Sequence, residues 1–354
     1  MKKKRKTAIY RDDLFLSHNP GPDHPESPQR LQVIYDELDK EATGSRFVYP
    51  QFEPASTEII ALNHTPELIK RVAATAGKDH AYLDADTQTS ADSYAAACLA
   101  VGALIDGIGR LETGEIDNGF CLVRPPGHHA EHDQSMGFCL FNNIAVAARW
   151  AAKELGKKRI LIIDWDLHHG NGTQHSFYDS NRVLYCSTHQ YPYYPGSGAV
   201  VQTGNAMGEG FTVNVPLPGG QGDTEFARIF NELFVPIARQ YHPELILVSC
   251  GFDIYDGDPL GAMKVTATGF AYMTRVMRGL ADELCNGKLL ITLEGGYNLT
   301  GMRDGALAVL AELCGESISK QQLDEATAAA LQTTTVECTP LTQSISMQKN
   351  YWDL

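Results

Sequence analysis

This sequence predicts a single-domain α/β fold in three layers (α/β/α) with a mainly parallel central sheet, and three observations predict it. Short apolar, largely β-branched runs such as residues 160–163 recur between turn signals, as strands buried on both faces do. Segments of helical length lie between these runs, and strands alternating with helices imply parallel pairing. Four of the runs also end in chemically loaded residues: His128-His129, Asp164/Asp166/His168, Asp253 and Tyr297. In a parallel sheet the carboxyl ends share one edge, where ligands bind. Four such endings therefore describe one site.

Residues 7–11 form the first strand, and the loop His18-Asn-Pro-Gly-Pro-Asp-His-Pro-Glu-Ser-Pro28 runs into an amphipathic helix over 27–38. Pro28 suits the first turn of that helix, where its missing N–H costs nothing. Helices follow over 65–76 and 91–111, the second Ala-rich and closed by Gly114. A strand over 119–123 ends in Arg124-Pro-Pro-Gly-His-His129, and a loop over 130–139 leads to a helix over 142–155. The strand over 160–163 opens into Asp164-Trp-Asp-Leu-His-His169 and a turn at Gly170-Asn-Gly172. Then come a strand over 182–187, an aromatic loop over 189–198, a strand over 211–215 and a helix over 224–241. A strand over 245–249 ends in Gly251-Phe-Asp253, a helix covers 266–284, and a strand over 289–293 ends in Glu294-Gly-Gly-Tyr297. The last clear helix covers 298–313. There is no internal repeat and no long linker, so residues 1–315 read as one domain. Residues 316–354 are polar and Thr/Gln-rich, with one helix over 321–331, and read as a helix and tail packed on that domain or extending from it. Tyr351-Trp352 would suit packing on a neighbour.

At 354 residues, 43% apolar and 20% charged, the composition is that of an ordinary globular chain. The net charge of −14 argues against a general nucleic-acid binder and favours cationic substrates. The apolar runs are too short to span a bilayer, and no membrane partner is expected. The basic run over 1–6 has no signal-peptide core behind it and reads as a solvated lead-in, with a nuclear address as the alternative. Eight cysteines without a CxxC pair, three of them (Cys121, Cys186, Cys250) inside apolar runs, suggest buried free thiols. That is the pattern of a reducing, cytoplasmic setting. A homo-oligomer is left open.

Asp166 and His168 are two residues apart, so in extended chain they point the same way and can grip one ion. With Asp253 they make three protein ligands and leave positions open, the layout of a catalytic metal site. Two carboxylates and an imidazole suit Zn²⁺ but also Fe²⁺, Co²⁺ or Mn²⁺. His128 and His129 sit on a stiff Pro-Pro-Gly turn that can set both beside a metal-bound water, one as its base and the other staying cationic. Each needs a partner on its far nitrogen, for which Asp164 and Asn171 are at hand. Tyr297 follows two glycines that allow close backbone approach, and its hydroxyl could polarise a carbonyl.

Together, Arg124-Pro-Pro-Gly-His-His129, Gly137-Phe-Cys-Leu-Phe-Asn-Asn143, Asp164-Trp-Asp-Leu-His-His-Gly-Asn-Gly-Thr-Gln174, Gly251-Phe-Asp253 and Glu294-Gly-Gly-Tyr297 resemble the zinc-dependent histone deacetylase family. That family shares the arginase-like fold with acetylpolyamine amidohydrolases, and the resemblance runs over about residues 7–315. Asn171 and the stretch His24-Pro-Glu-Ser-Pro-Gln-Arg30 look like its class II. The resemblance implies Asp166, His168 and Asp253 as Zn²⁺ ligands, His129 as general base and acid, and His128 as its charged partner held by Asp164. It implies Tyr297 as the carbonyl-binding tyrosine, and Phe138 and Tyr194 as the walls of an acetyl-lysine tunnel. The Gly137 carbonyl would receive the substrate amide, Arg30 would line an inner acetate cavity and Asp92 would hold the substrate backbone at the rim. It further implies a structural K⁺ on Asp164, Asp166, His168, Ser187 and Thr188, and a second on Phe177, Ser180, Val183 and Phe211. Leu260 falls at the tunnel mouth, where a polyamine-selective relative carries Glu, so acetyl-lysine of a peptide or protein is expected over acetylpolyamine. A silent acetyl-lysine reader would need no general base. A two-metal arginase-type site would want Asp where Tyr255 stands.

Overall fold

The computed structural model describes residues 5–316 and 323–354. Residues 1–4 of the basic lead-in and residues 321–322 of the expected C-terminal helix lie outside the described residues. In chain order the strands are β1 (Thr7–Tyr10), β2 (Ala81–Tyr82), β3 (Gln88–Thr89), β4 (Asn118–Cys121), β5 (Ile160–Asp164), β6 (Val183–Gln190), β7 (Thr212–Leu217), β8 (Leu245–Cys250) and β9 (Leu289–Leu293). Seven of them form one sheet in the order β1-β4-β9-β8-β5-β6-β7, and β2 and β3 form a small hairpin apart. Every pairing in the large sheet is parallel. Strands β4, β5, β8 and β9 are buried along their whole length, which is why their sequences run apolar without alternation.

The four strands whose ends drew attention in the sequence, β4, β9, β8 and β5, are neighbours at the centre of the sheet. In register, Cys121 meets Thr292, Thr292 meets Ser249 and Ser249 meets Asp164. The loaded residues leave the sheet one to several positions beyond that row, at a single edge.

Helices surround the sheet. Ser93–Thr113 packs on Asn143–Glu154, and Ala267–Leu284 on Leu299–Cys314. Ser93–Thr113 ends at Gly114 with φ 72°, a left-handed cap that suits glycine. This helix is long and apolar enough to cross a bilayer by length and composition, against the sequence reading that no run reaches that length. Here 67% of its apolar window is buried inside the protein, and its Gly107 lies against Leu290 of β9. The expected helix over 224–241 is present as Asp223–Ile229, a π turn at Phe230–Phe234, and Val235–Tyr241. Pro236 explains the π turn, because it has no N–H to donate and crowds the preceding turn.

The C-terminal stretch holds a second helix that the sequence reading lacks, Thr339–Gln348, after Glu325–Gln332. Its partner is the chain's own edge strand. Ser344 donates to the Asn214 carbonyl at 2.9 Å and Gln348 to the Thr212 carbonyl at 3.1 Å, both on β7. Trp352 packs on Phe211 and Tyr241 and donates to the Gly210 carbonyl. At the other edge, Val48 covers β1 by exchanging backbone hydrogen bonds with Thr7 and Ile9. All eight cysteines are free and buried.

Candidate active site

The chain beyond β5 turns sharply, and Asp166 and His168 converge there with Asp253 from beyond β8. One ligand atom from each lies within 4.8 Å of the others. His168 Nδ1 is 3.1 Å from Asp253 and 3.3 Å from Asp166. Two carboxylates this close, with no exposure to water, are one positive charge short of balance. Burial and the charge of Asp166 push Asp253 up to about 7. Burial opposes charge on His168 too, yet the two carboxylates raise it to about 9. A divalent cation would replace that proton, so the donor set fits Zn²⁺, with a neutral His and two ionised carboxylates. The floor is built from glycine for this reason: a Cβ on Gly295 would meet Asp253 Oδ2 at 2.4 Å.

His128 and His129 come from the loop after β4, with ring centres 4.1 Å apart. Glu294, beyond β9, anchors this loop by accepting the amides of Gly127 and His128 at 2.7 and 3.2 Å. His128 Nδ1 lies 3.1 Å from Asp164, whose carboxylate also accepts the Tyr185 hydroxyl at 3.0 Å. Burial works against charge on His128, but Asp166, Asp164 and Glu294 outweigh it and push its pKa up to about 10. His129 is held well below the usual histidine range, by burial first and then by the positive neighbours His128 and His168. Its Nδ1 is 2.8 Å from Asn171 Oδ1. One imidazole is thus kept cationic and its neighbour kept as a free base.

A cavity of about 110 Å³ opens onto these groups, lined among others by His129, Gly137, Phe138, Tyr194, Leu260 and Tyr297. Phe138 stands edge-on to Tyr297 at 6.0 Å, and Tyr194 edge-on to His129 at 5.1 Å. Phe138 sits at φ 68°, a strained conformation for a bulky residue, beside Gly137 at φ 56°. A Cβ on Gly137 would meet the His129 ring at 2.4 Å. Burial, then Asp253 and Asp166, hold the Tyr297 hydroxyl well above its ordinary pKa against the pull of Arg30. It is therefore a donor.

One expectation is corrected. Asp92 does not reach the cavity; it is exposed at the start of Ser93–Thr113. The carboxylate at the mouth is Asp86, which accepts the Gly137 amide at 3.1 Å and lines the cavity. Arg30, expected at an inner acetate cavity, is buried. It lies beneath Tyr297, its guanidinium 5.0 Å from the ring centre, and donates to the carbonyls of Glu294 and Gly296 and to Glu26. For the expected K⁺ positions, Ser187 pairs with Asp164 across β6 and β5, and Thr188 Oγ1 is buried without a partner, an acceptor that a cation could use. At the outer set the carbonyls of Phe177 and Phe211 accept the amides of Ser180 and Tyr185, and Val183 begins β6.

Residues 24–313 match the family model described as Histone deacetylase domain. The chain belongs to the histone deacetylase family. Histone deacetylase 15 of Arabidopsis thaliana is 41% identical over 323 residues, covering 88% of this chain and 57% of that protein. A probable deacetylase of Archaeoglobus fulgidus is 37% identical over 316 residues, covering 88% of each. The crystal structure of the HDA15 HD domain superposes with a TM-score of 0.88 at 37% identity, covering 98% of this chain and 95% of that one. Against the full-length plant relatives the chain is shorter, spanning 57% and 48% of two Arabidopsis deacetylases.

Several members of this site escaped the sequence reading. Glu26 accepts from Arg124 at 2.5 and 2.7 Å and from Arg30 at 2.6 Å, joining the first loop to the turn before His128. Asp258 accepts the amides of Tyr297 and Asn298 at 2.7 and 2.9 Å, fixing the loop that carries the tyrosine. Tyr193 stacks on His168 at 5.7 Å beside Tyr194. Glu26 and Glu294 lie within the quoted motifs, so their position was a signal; Asp258 and Asp86 carry none.

Proposed function

We propose that this protein hydrolyses the acetyl amide of N-ε-acetyl-lysine in peptides or proteins. The observation that carries the reading is the pairing, across one narrow aromatic cavity, of a free-base His129 and a donor Tyr297 beside the Asp166/His168/Asp253 triad. Asp166, His168 and Asp253 would hold Zn²⁺, which would supply Lewis-acid polarisation there. The protein's own groups do the remainder. Phe138 and Tyr194 flank the methylene stem of the lysine, and the Gly137 carbonyl accepts the amide N–H. His129 removes a proton from the attacking water at Nε2 and returns it to the leaving amine. His128 stays cationic throughout, and Tyr297 donates to the carbonyl oxygen as negative charge develops there. K⁺ near Ser187 and Thr188 would be structural. We place the protein in a reducing, cytoplasmic setting on its eight buried thiols.

An acetylpolyamine is the second substrate class that the chemistry admits. Leu260 speaks against it, since it puts an apolar side chain at the cavity mouth, and the carboxylate that does line the mouth, Asp86, already accepts from the Gly137 amide and the Thr87 hydroxyl. The test is kcat/KM for an acetyl-lysine peptide, N-acetylputrescine and N8-acetylspermidine, in wild type and Leu260→Glu. The peptide should lead in wild type. Leu260→Glu should move the ratio toward polyamine by roughly 10–100-fold, one partly desolvated charge pair. A wild type that already favours polyamine would overturn the assignment.

A further inference from the structure

We propose that Glu131 is a positioning residue for His129, acting through the side-chain amide of Asn171. The proposal rests on the reading above, in which His129 accepts a proton at Nε2. A neutral imidazole can do so only when its own proton sits on Nδ1. What faces Nδ1 therefore sets whether the base is usable. That partner is Asn171 Oδ1, 2.8 Å away.

An asparagine amide has two nearly isosteric orientations, one turning an acceptor toward the ring and the other a donor. With the oxygen inward, Nδ1 must carry the proton and Nε2 is free. With the NH₂ inward, Nδ1 must offer its lone pair, the proton moves to Nε2 and the base is lost. Asn171 alone does not distinguish these states.

The far side of the amide does. Asn171 Nδ2 lies 2.5 Å from Glu131 Oε1 and 3.2 Å from the His129 carbonyl. A carboxylate and a carbonyl are acceptors only, so both demand the nitrogen, and the flipped amide would set oxygen against oxygen twice. The charged Glu131 is the stronger of the two. Its own place is fixed on three sides. His175 Nδ1 lies 2.8 Å from Oε1, its backbone N–H donates to the Gln134 carbonyl at 2.8 Å, and its carbonyl lies 2.9 Å from His64 Nδ1. Asn171 is only 4% exposed, so water offers little alternative partner. An aspartate at 171 would present an acceptor in either orientation and would need no such partner.

The test uses the full chain loaded with Zn²⁺. Glu131→Met keeps the length of the side chain and removes the acceptor. We expect kcat for an acetyl-lysine peptide to fall roughly tenfold, the weight of one hydrogen bond to a charged group, with KM nearly unchanged. Adding Asn171→Asp to Glu131→Met should restore kcat to within about threefold of wild type, because both carboxylate oxygens accept. An activity-independent readout is the ¹⁵N NMR of histidine-labelled protein. Wild-type His129 should show protonated Nδ1 and bare Nε2, and Glu131→Met should shift toward the opposite tautomer. Wild-type kcat and tautomer in Glu131→Met would overturn the proposal. So would a loss that Asn171→Asp leaves unrepaired with the tautomer unchanged. If Glu131→Met does not fold, the reversed pair Glu131→Gln/Asn171→Asp decides. It should keep kcat within about threefold, and a loss beyond tenfold would overturn the idea. A wild type inert toward acetyl-lysine would sink the deacetylase reading, while the tautomer measurement would still decide the role of Glu131.

Discussion

Tyr297 Oη is a single oxygen whose removal leaves everything around it in place. The ring would keep its edge contact with Phe138 and its seat over Arg30, and the backbone would keep its bond to Asp258. Because burial and the nearby carboxylates keep the hydroxyl protonated, its contribution is a donated hydrogen bond. In the proposed reaction that bond would strengthen as the substrate carbonyl gains charge, and so would belong to the transition state more than to the bound substrate. Tyr297→Phe should therefore lower kcat by ~10²–10³ while the Kd of an acetyl-lysine peptide changes far less. Steady-state kinetics beside equilibrium peptide titration separates the two. A variant with wild-type kcat would remove the hydroxyl from the reaction.

At the scale of elements, the edge strand β7 depends on the C-terminal helix. A parallel edge exposes a row of carbonyls that invites pairing with another chain. Ser344 and Gln348 occupy two of those carbonyls from the helix Thr339–Gln348, and Leu341 is fully buried beneath it. Ser344→Ala with Gln348→Ala should cost about 2 kcal/mol, near 1 kcal/mol for each hydrogen bond to a buried carbonyl. Removing Thr339–Leu354 should cost more and yield soluble aggregates, read by thermal unfolding and size-exclusion chromatography; a monodisperse truncation of unchanged Tm would refute the role. The sequence hid this helix because Thr, Ser and Ile are weaker helix formers, and its order comes from packing that no local pattern encodes. The hairpin of β2 and β3 was hidden for a similar reason, with only two residues in each strand. All seven strands of the large sheet were legible, since buried strands are rich in apolar and β-branched residues even where polar ones interrupt them, as in Thr212–Leu217. So were the triad and the histidine pair, because strand ends bring them to one edge. Asp86 was not, and Asp92 was named in its place: which carboxylate of a loop bends into the cavity is set by the path of the loop. Helix Asn171–Phe177 was likewise concealed behind a Gly-Asn-Gly signal for a turn.

For the molecule as a whole, the buried neutral histidines make a contribution to stability that is lost on mild acidification. His64 ties three segments together: its Nδ1 lies 2.9 Å from the Glu131 carbonyl, and its Nε2 accepts the Asn142 amide at 2.8 Å where the helix Asn143–Glu154 begins. Protonation would turn that acceptor into a donor facing an N–H. Burial, opposed only by hydrogen bonds to backbone carbonyls, accordingly lowers its pKa from 6.5 to about 4. His189, between Ser187 and the Gly198 carbonyl, is lowered to about 4 as well, by burial. In the unfolded chain both return to the ordinary value, so between about 4 and 6.5 the unfolded state binds more protons than the folded one. Their stabilisation is complete above 6.5 and is lost as pH falls toward 4, at roughly 3 kcal/mol for each histidine over the whole window. About 2 kcal/mol of that falls between pH 7 and pH 5 for each. Glu26 works in the same direction lower down. Burial raises its pKa, but Arg124, His18 and Arg30 pull it well below the ordinary carboxylate value, so its contribution holds above about 4.5 and disappears in stronger acid. In His64→Gln, where an uncharged amide can donate and accept at the same two places, the loss of unfolding free energy between pH 7 and pH 5 should be smaller than in wild type by about 2 kcal/mol. Urea unfolding of both proteins at the two pH values measures that difference directly. An equal loss in the two would mean that His64 titrates alike in the folded and unfolded chain, and that its two hydrogen bonds do not hold it neutral.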